Sequence, residues 1–105
     1  EILLSIQDNK LRLFSYMSSI KKLKKQINNK IGGFIEDVYL WELNNQKADI
    51  NLTNSLIDES INLFDLLIKE MNSPKGKSLK KHYNSIKIKL ESEVKKMNEK
   101  LKKLG

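Results

Sequence analysis

The chain has one histidine, His82, and no cysteine. Acid–base or nucleophilic catalysis needs a group that titrates near neutrality and a partner that activates it. His82 stands beside Tyr83 and behind Lys80 and Lys81, which reads as an exposed or half-buried position near the start of a helix. The sequence holds neither a glycine-rich phosphate loop nor a serine in a nucleophile-elbow pattern. Asp58, Asn62 and Asp65 share one helical face through their spacing of four and three. Their oxygens suit a hard cation, yet three side chains on one helix leave most of a coordination shell empty, and a solvated acidic face explains them equally well. The adjacent carboxylates Glu36 and Asp37, like Asp58 and Glu59, diverge by about 100° on a helix and do not converge on a substrate. These residues predict a protein that is not an enzyme and takes no metal or cofactor.

Binding chemistry is better represented. Lysine supplies nineteen of the twenty basic residues, and Arg12 is the one arginine. Lysine, asparagine and isoleucine together dominate in the way an A/T-rich coding sequence imposes, so the bias has a mutational reading beside a functional one. Lys21, Lys22, Lys24, Lys25 and Lys30 fall on the first helical segment, and Lys80, Lys81, Lys87 and Lys89 on the last. Lysines attach to phosphate without reading bases, a task that favours arginine forks and stacking aromatics, so nucleic-acid binding is disfavoured against a solvated basic face. The last segment is a basic amphipath, but its narrow apolar stripe lacks Trp and Phe, which is the composition of a bundle seam rather than a membrane-surface helix. Phe34 and Trp41 read first as core, with Tyr39, Leu40 and Trp41 a candidate contact patch. The expected partner-binding residues are therefore Lys21, Lys22, Lys24, Lys25, Tyr39, Trp41, Lys80, Lys81, Lys87 and Lys89. Asn51-Leu52-Thr53 fits the glycosylation sequon, a pattern common by chance.

The elements that must carry these groups follow from hydrophobic spacing. Ile6, Leu13, Ile20 and Ile27 recur every seven residues, with Tyr16, Met17, Leu23 and Ile31 beside them, and predict a helix from Ile2 to Ile31 that Gly32 and Gly33 end. A second segment opens at Phe34 with Val38 and Trp41 on its face. From Ile50 a stripe through Ile57, Ile61, Phe64, Ile68 and Met71 runs out of phase with it, so a kink or break is expected at 44–51, where Asn44, Asn45, Asp49 and Asn51 offer caps. Asn72, Ser73, Pro74, Lys75 and Gly76 form the next breaker. Ser78 caps the last helix, whose stripe Leu79, Tyr83, Ile86, Leu90, Val94, Met97, Leu101 and Leu104 never misses. The predicted fold is all-α: an elongated antiparallel three-helix bundle with the middle helix kinked or broken near 44–51, counted as four helices if the arm from Phe34 to Leu43 folds back separately.

Charge is distributed in three blocks: basic over 1–35, acidic over 36–72 and basic over 73–105, for a net charge of +7. If each block is one helix, the acidic one is sandwiched with attraction along both seams, and moderate salt lowers the melting temperature. A length of 105 residues fits one domain, 1–105, and the start at Glu1 reads as a domain cut from a longer chain. The missing cysteines leave the compartment open, and no apolar run approaches the roughly 20 residues of a membrane span.

The unbroken stripe from Leu79 to Leu104, the lysine-rich outer faces and the lack of cysteine resemble the all-helical surface lipoproteins of spirochaetes. That resemblance implies a small exported bundle, displayed at the cell surface, that binds a host plasma or matrix protein. A second resemblance, to the basic helical-bundle immunity proteins of bacteriocin producers, implies a cytosolic bundle acting on a membrane or toxin component. The leading expectation is a non-enzymatic binding module at a bacterial surface that engages a protein or polyanion through lysine-rich helix faces. The cytosolic immunity or regulatory bundle is the alternative, and a nonspecific nucleic-acid-associated protein the third.

Overall fold

The computed structural model describes residues 2–73 and 78–105, with side chains from Ser18 onward. Pro74, Lys75 and Gly76 of the predicted breaker lie outside the described residues, as do the side chains of Ile6, Leu13, Tyr16 and Met17. The described chain forms three helices, α1 (Ile2–Asn44), α2 (Ile50–Met71) and α3 (Leu79–Lys103). Each packs against the other two, giving an elongated all-helical bundle of 69 × 21 × 16 Å.

α3 is the helix that its spacing predicts. Ser78 caps it by accepting a hydrogen bond from the Lys81 amide at 3.2 Å, and Ile86, Leu90 and Met97 are fully covered. The predicted break before α2 is also present. Asn45 donates from Nδ2 to the Trp41 carbonyl at 2.9 Å as α1 ends, and Asp49 caps α2 by accepting from the Asn51 amide at 2.9 Å.

α1 departs from expectation, because it does not stop at Gly32-Gly33 but continues to Asn44. Leu23, Ile27, Ile31, Phe34 and Val38 are all buried, and their intervals of four and three run through the glycine pair without a change of phase. Two glycines cost a helix about 1 kcal/mol each relative to alanine, whereas burying Phe34 and Val38 contributes roughly 1.5–3 kcal/mol apiece. Burial of the shared stripe wins, and the arm from Phe34 to Leu43 belongs to the first helix.

α2 is rotated relative to its predicted face. Its most deeply covered residues are Thr53, Leu56, Ser60, Leu63, Leu67 and Met71. Ile57, Phe64 and Ile68 pack on the edge of the core, while Ile50 and Ile61 are exposed. Two small hydroxyl residues thus occupy the centre of the contact face. Their polarity is absorbed locally, Thr53 Oγ1 donating to the Ile50 carbonyl at 3.0 Å and Ser60 Oγ to that of Ile57 at 2.7 Å.

α2 reverses the chain and α3 reverses it again, so α1 and α3 run parallel. The contact of Lys30 Nζ with Glu91 Oε1 at 3.6 Å sets their register. One residue of one helix then lies level with one of the other, which places Leu79 beside about position 18 and Lys103 beside about position 42. α1, with 43 residues against 22 and 25, therefore runs on past both neighbours at its N-terminal end.

Candidate binding surfaces

The parallel register gathers lysines that lie some sixty positions apart in sequence. Lys21, Lys22, Lys24 and Lys25 are exposed on α1, at the level where α3 begins with exposed Lys80 and Lys81 and partly covered Lys87. Lys69 of α2 is exposed near the same end. None of these lysines is in an ion pair with another described residue. Lys89, the remaining basic residue of the predicted set, is held instead at 2.8 Å by Glu70. The exposed lysines sit within a turn or two of one another and repel, a cost that an anionic partner relieves.

Among the described residues, the three ion pairs that cross between helices all use α3: Lys30–Glu91, Lys89–Glu70 and Lys100–Glu59. This corrects the expected sandwich. Since α1 extends to Asn44, the acidic block contributes its first part to α1 and the rest to α2, so carboxylates line both sides of the α1–α2 seam. Among the described residues no ion pair bridges that seam. All the bridging pairs are substantially exposed, and such pairs are worth about 0–1 kcal/mol each.

His82 is buried, at 7% exposure, rather than exposed or half-buried. Its Nε2 lies 2.6 Å from the Glu70 carbonyl, which can only accept, so Nε2 carries the proton and donates. The same carbonyl takes the Ser73 amide at 3.3 Å. His82 thereby adds a second donor to a carbonyl in the last turn of α2 and ties that turn to the start of α3. Replacing His82 with alanine removes that donor and opens a void. Urea denaturation is expected to show a loss of about 1–3 kcal/mol, whereas His82→Gln, which keeps a donor, loses less.

Asp58, Asn62 and Asp65 are exposed on α2, and no group of three His, Cys, Asp or Glu suited to a metal occurs among the described residues. Tyr39 and Leu40 are exposed near the end of α1, while Trp41 is partly covered and turned toward the α1–α2 connection. Its buried Nε1–H finds no acceptor among the described residues and lies at a cleft of about 100 Å³ formed with Asn45, Ala48, Asp49 and Thr53. Thr53 of the sequon is fully buried. No helix among the described residues is long and apolar enough to cross a membrane.

One surface went unread in the sequence, a groove between α1 and α2. Its hollow of about 180 Å³ is lined by Asn28, Ile31, Gly32 and Ile35 of α1 with Ile61 and Phe64 of α2. Its signal was the Ile27, Ile31, Phe34, Val38 spacing, which carries α1 through the glycines and alongside α2. Comparison with family models, curated proteins and solved structures finds no match to this chain.

Proposed function

We propose that this chain is a non-enzymatic helical binding module, exported and displayed at a bacterial surface, that engages an anionic protein surface or polyanion through the lysine-bearing end of the bundle. One observation carries the reading: the Lys30–Glu91 register brings Lys21, Lys22 and Lys25 of α1 level with Lys80 and Lys81 of α3, and none of these five is in an ion pair with another described residue. Lysine ammoniums on flexible stems bind a diffuse anionic surface by charge rather than by shape, so affinity depends steeply on salt. Neither the cytosolic immunity reading nor the nucleic-acid reading draws on a separate observation.

The test is a titration with poly-glutamate, with heparin and with duplex DNA, each at low and high ionic strength. Replacing Lys21, Lys22, Lys25, Lys80 and Lys81 together with glutamine is expected to weaken binding to the preferred polyanion by about tenfold or more and to flatten its salt dependence. The fold should be unchanged, because all five side chains are exposed. Equal binding by the variant would overturn the assignment of the site. A preference for DNA over both other polymers would move the function to the nucleic-acid class.

A further inference from the structure

The α1–α2 groove differs in chemistry from the lysine-bearing end. Its walls are apolar, and Ile61 at 47% and Tyr39 at 51% exposure stand along its rim. Its floor is open at Gly32, where an added Cβ would meet nothing within 4 Å. The rim is acidic toward Asn44 and Ile50, while Lys25, seven residues before Gly32 on α1, and Lys69, four after Asp65 on α2, stand at its other end. Asp58 and Asp65 lie three residues before and four after Ile61, hence beside it on α2, and Glu42 follows Ile35 by seven on α1. Glu36 lies four residues beyond Gly32 on α1.

No lysine or arginine occurs at 31–46 or 48–68, and none of these four carboxylates is in an ion pair among the described residues. The α2–α3 groove offers a contrast. It too has an apolar lining, with Leu63, Leu66 and Met97, but its rim is neutralised by Lys89–Glu70 and Lys100–Glu59. There the acidic face of α2 already has a basic amphipathic helix against it, namely α3. The α1–α2 side likewise has exposed aliphatic side chains and carboxylates, but these carboxylates are in no ion pair among the described residues and no third helix lies against them.

From this charge complementarity we infer that the α1–α2 groove docks a lysine- or arginine-bearing amphipathic helix of a partner protein, which lies along α1 and α2 as a fourth helix of the bundle. Its apolar face covers Ile35, Ile61 and Phe64 and enters the space above Gly32, while its cations meet Glu36, Glu42, Asp58 and Asp65. This surface adjoins the lysine-bearing end at Lys25 and Lys69 but differs from it in charge, and either assignment can fail without the other.

The probes are two synthetic amphipathic helical peptides with leucine on one face, one bearing lysine and the other glutamate on the opposite face, titrated calorimetrically into the intact chain. The lysine peptide is expected to bind and to lose affinity in Gly32→Leu, whereas binding of the glutamate peptide, which belongs to the lysine-bearing end, is expected to be the same in Gly32→Leu as in the unaltered chain. Affinity for the lysine peptide should fall as salt rises, even though the chain as a whole is +7. Net charge alone gives the opposite salt dependence, so this sign reports the local acidic rim.

Gly32→Leu fills the floor with a better helix former. It should keep or raise the melting temperature while weakening peptide binding by about tenfold or more. Glu36→Gln with Asp58→Asn should weaken it severalfold and reduce the salt dependence. Undiminished binding of the lysine peptide to Gly32→Leu, or an equal loss of glutamate-peptide binding in that variant, would overturn the inference. So would self-association of the chain in sedimentation that Gly32→Leu abolishes, since the groove would then belong to a second copy.

Discussion

Replacing Leu90 with alanine is expected to remove about 2–5 kcal/mol of folding stability, out of a total that for a domain of this size is about 5–15 kcal/mol. Leu90 is at 0% exposure in the middle of α3 and belongs to a cluster containing Leu23 and Ile27 of α1 and Leu67 of α2. All three helices close on this region, and alanine leaves a cavity that rigid helices cannot collapse to fill. At about 4–8 °C per kcal/mol, the melting temperature should fall by some 10–20 °C or more. Ile88→Ala on the same helix supplies the contrast: Ile88 is 66% exposed, and its loss should change stability by no more than about 0.5 kcal/mol. Urea denaturation checks both, with the slope unchanged if the native and unfolded states keep their surfaces. Similar losses from the two variants would mean that α3 does not present this face to α1 and α2.

That contrast between two residues two positions apart was legible before any coordinates. Ile88 falls off the stripe that contains Leu90, and α3 has no competing signal within it. α2 was harder, since it carries two apolar rows, one through Ile57, Ile61, Phe64 and Ile68 and another through Leu56, Leu63 and Leu67. Hydrophobicity alone cannot rank them. The second lies at the centre because Thr53 and Ser60 complete it with small side chains that let the helices approach, and their hydroxyls bond back to their own helix.

The candidate surfaces were legible in a more limited sense. Lys21, Lys22, Lys24, Lys25, Lys80 and Lys81 are recognisable as exposed basic residues from their places between apolar positions. Their common location depends on α1 and α3 being parallel and in a particular register, a tertiary fact fixed near Lys30 and Glu91. The acidic groove was hidden by a single misplaced boundary. With α1 ended at Gly32, Glu36 and Glu42 belong to the same segment as Asp58 and Asp65. With α1 continued to Asn44, they stand on the opposite wall from them. One helix end decides whether the acidic block is a sandwiched rod or the two sides of a cleft.

The same boundary yields the second large effect, a gain in stability. Gly32 and Gly33 lie inside α1, where glycine gives up more backbone freedom on folding than any other residue. Neither has a positive φ, and a Cβ at either position would meet no atom within 4 Å. Close packing and backbone conformation therefore supply no reason for glycine here. Gly32→Ala with Gly33→Ala should stabilise the fold by about 1–2 kcal/mol in total, seen as a melting temperature higher by several degrees. Had α1 ended at this pair in a left-handed cap, alanine there would be strained and the sign would reverse. The direction of the shift thus reads out whether α1 passes through the glycines in solution. It also bears on the groove, because the space above Gly32 exists only while that residue lacks a side chain. Alanine, with one methyl group, should raise stability while narrowing the floor only slightly, and leucine should close it. A series Gly, Ala, Leu at position 32 in which stability stays level or rises while basic-helix binding falls would separate the cost of glycine to the helix from its use in the groove.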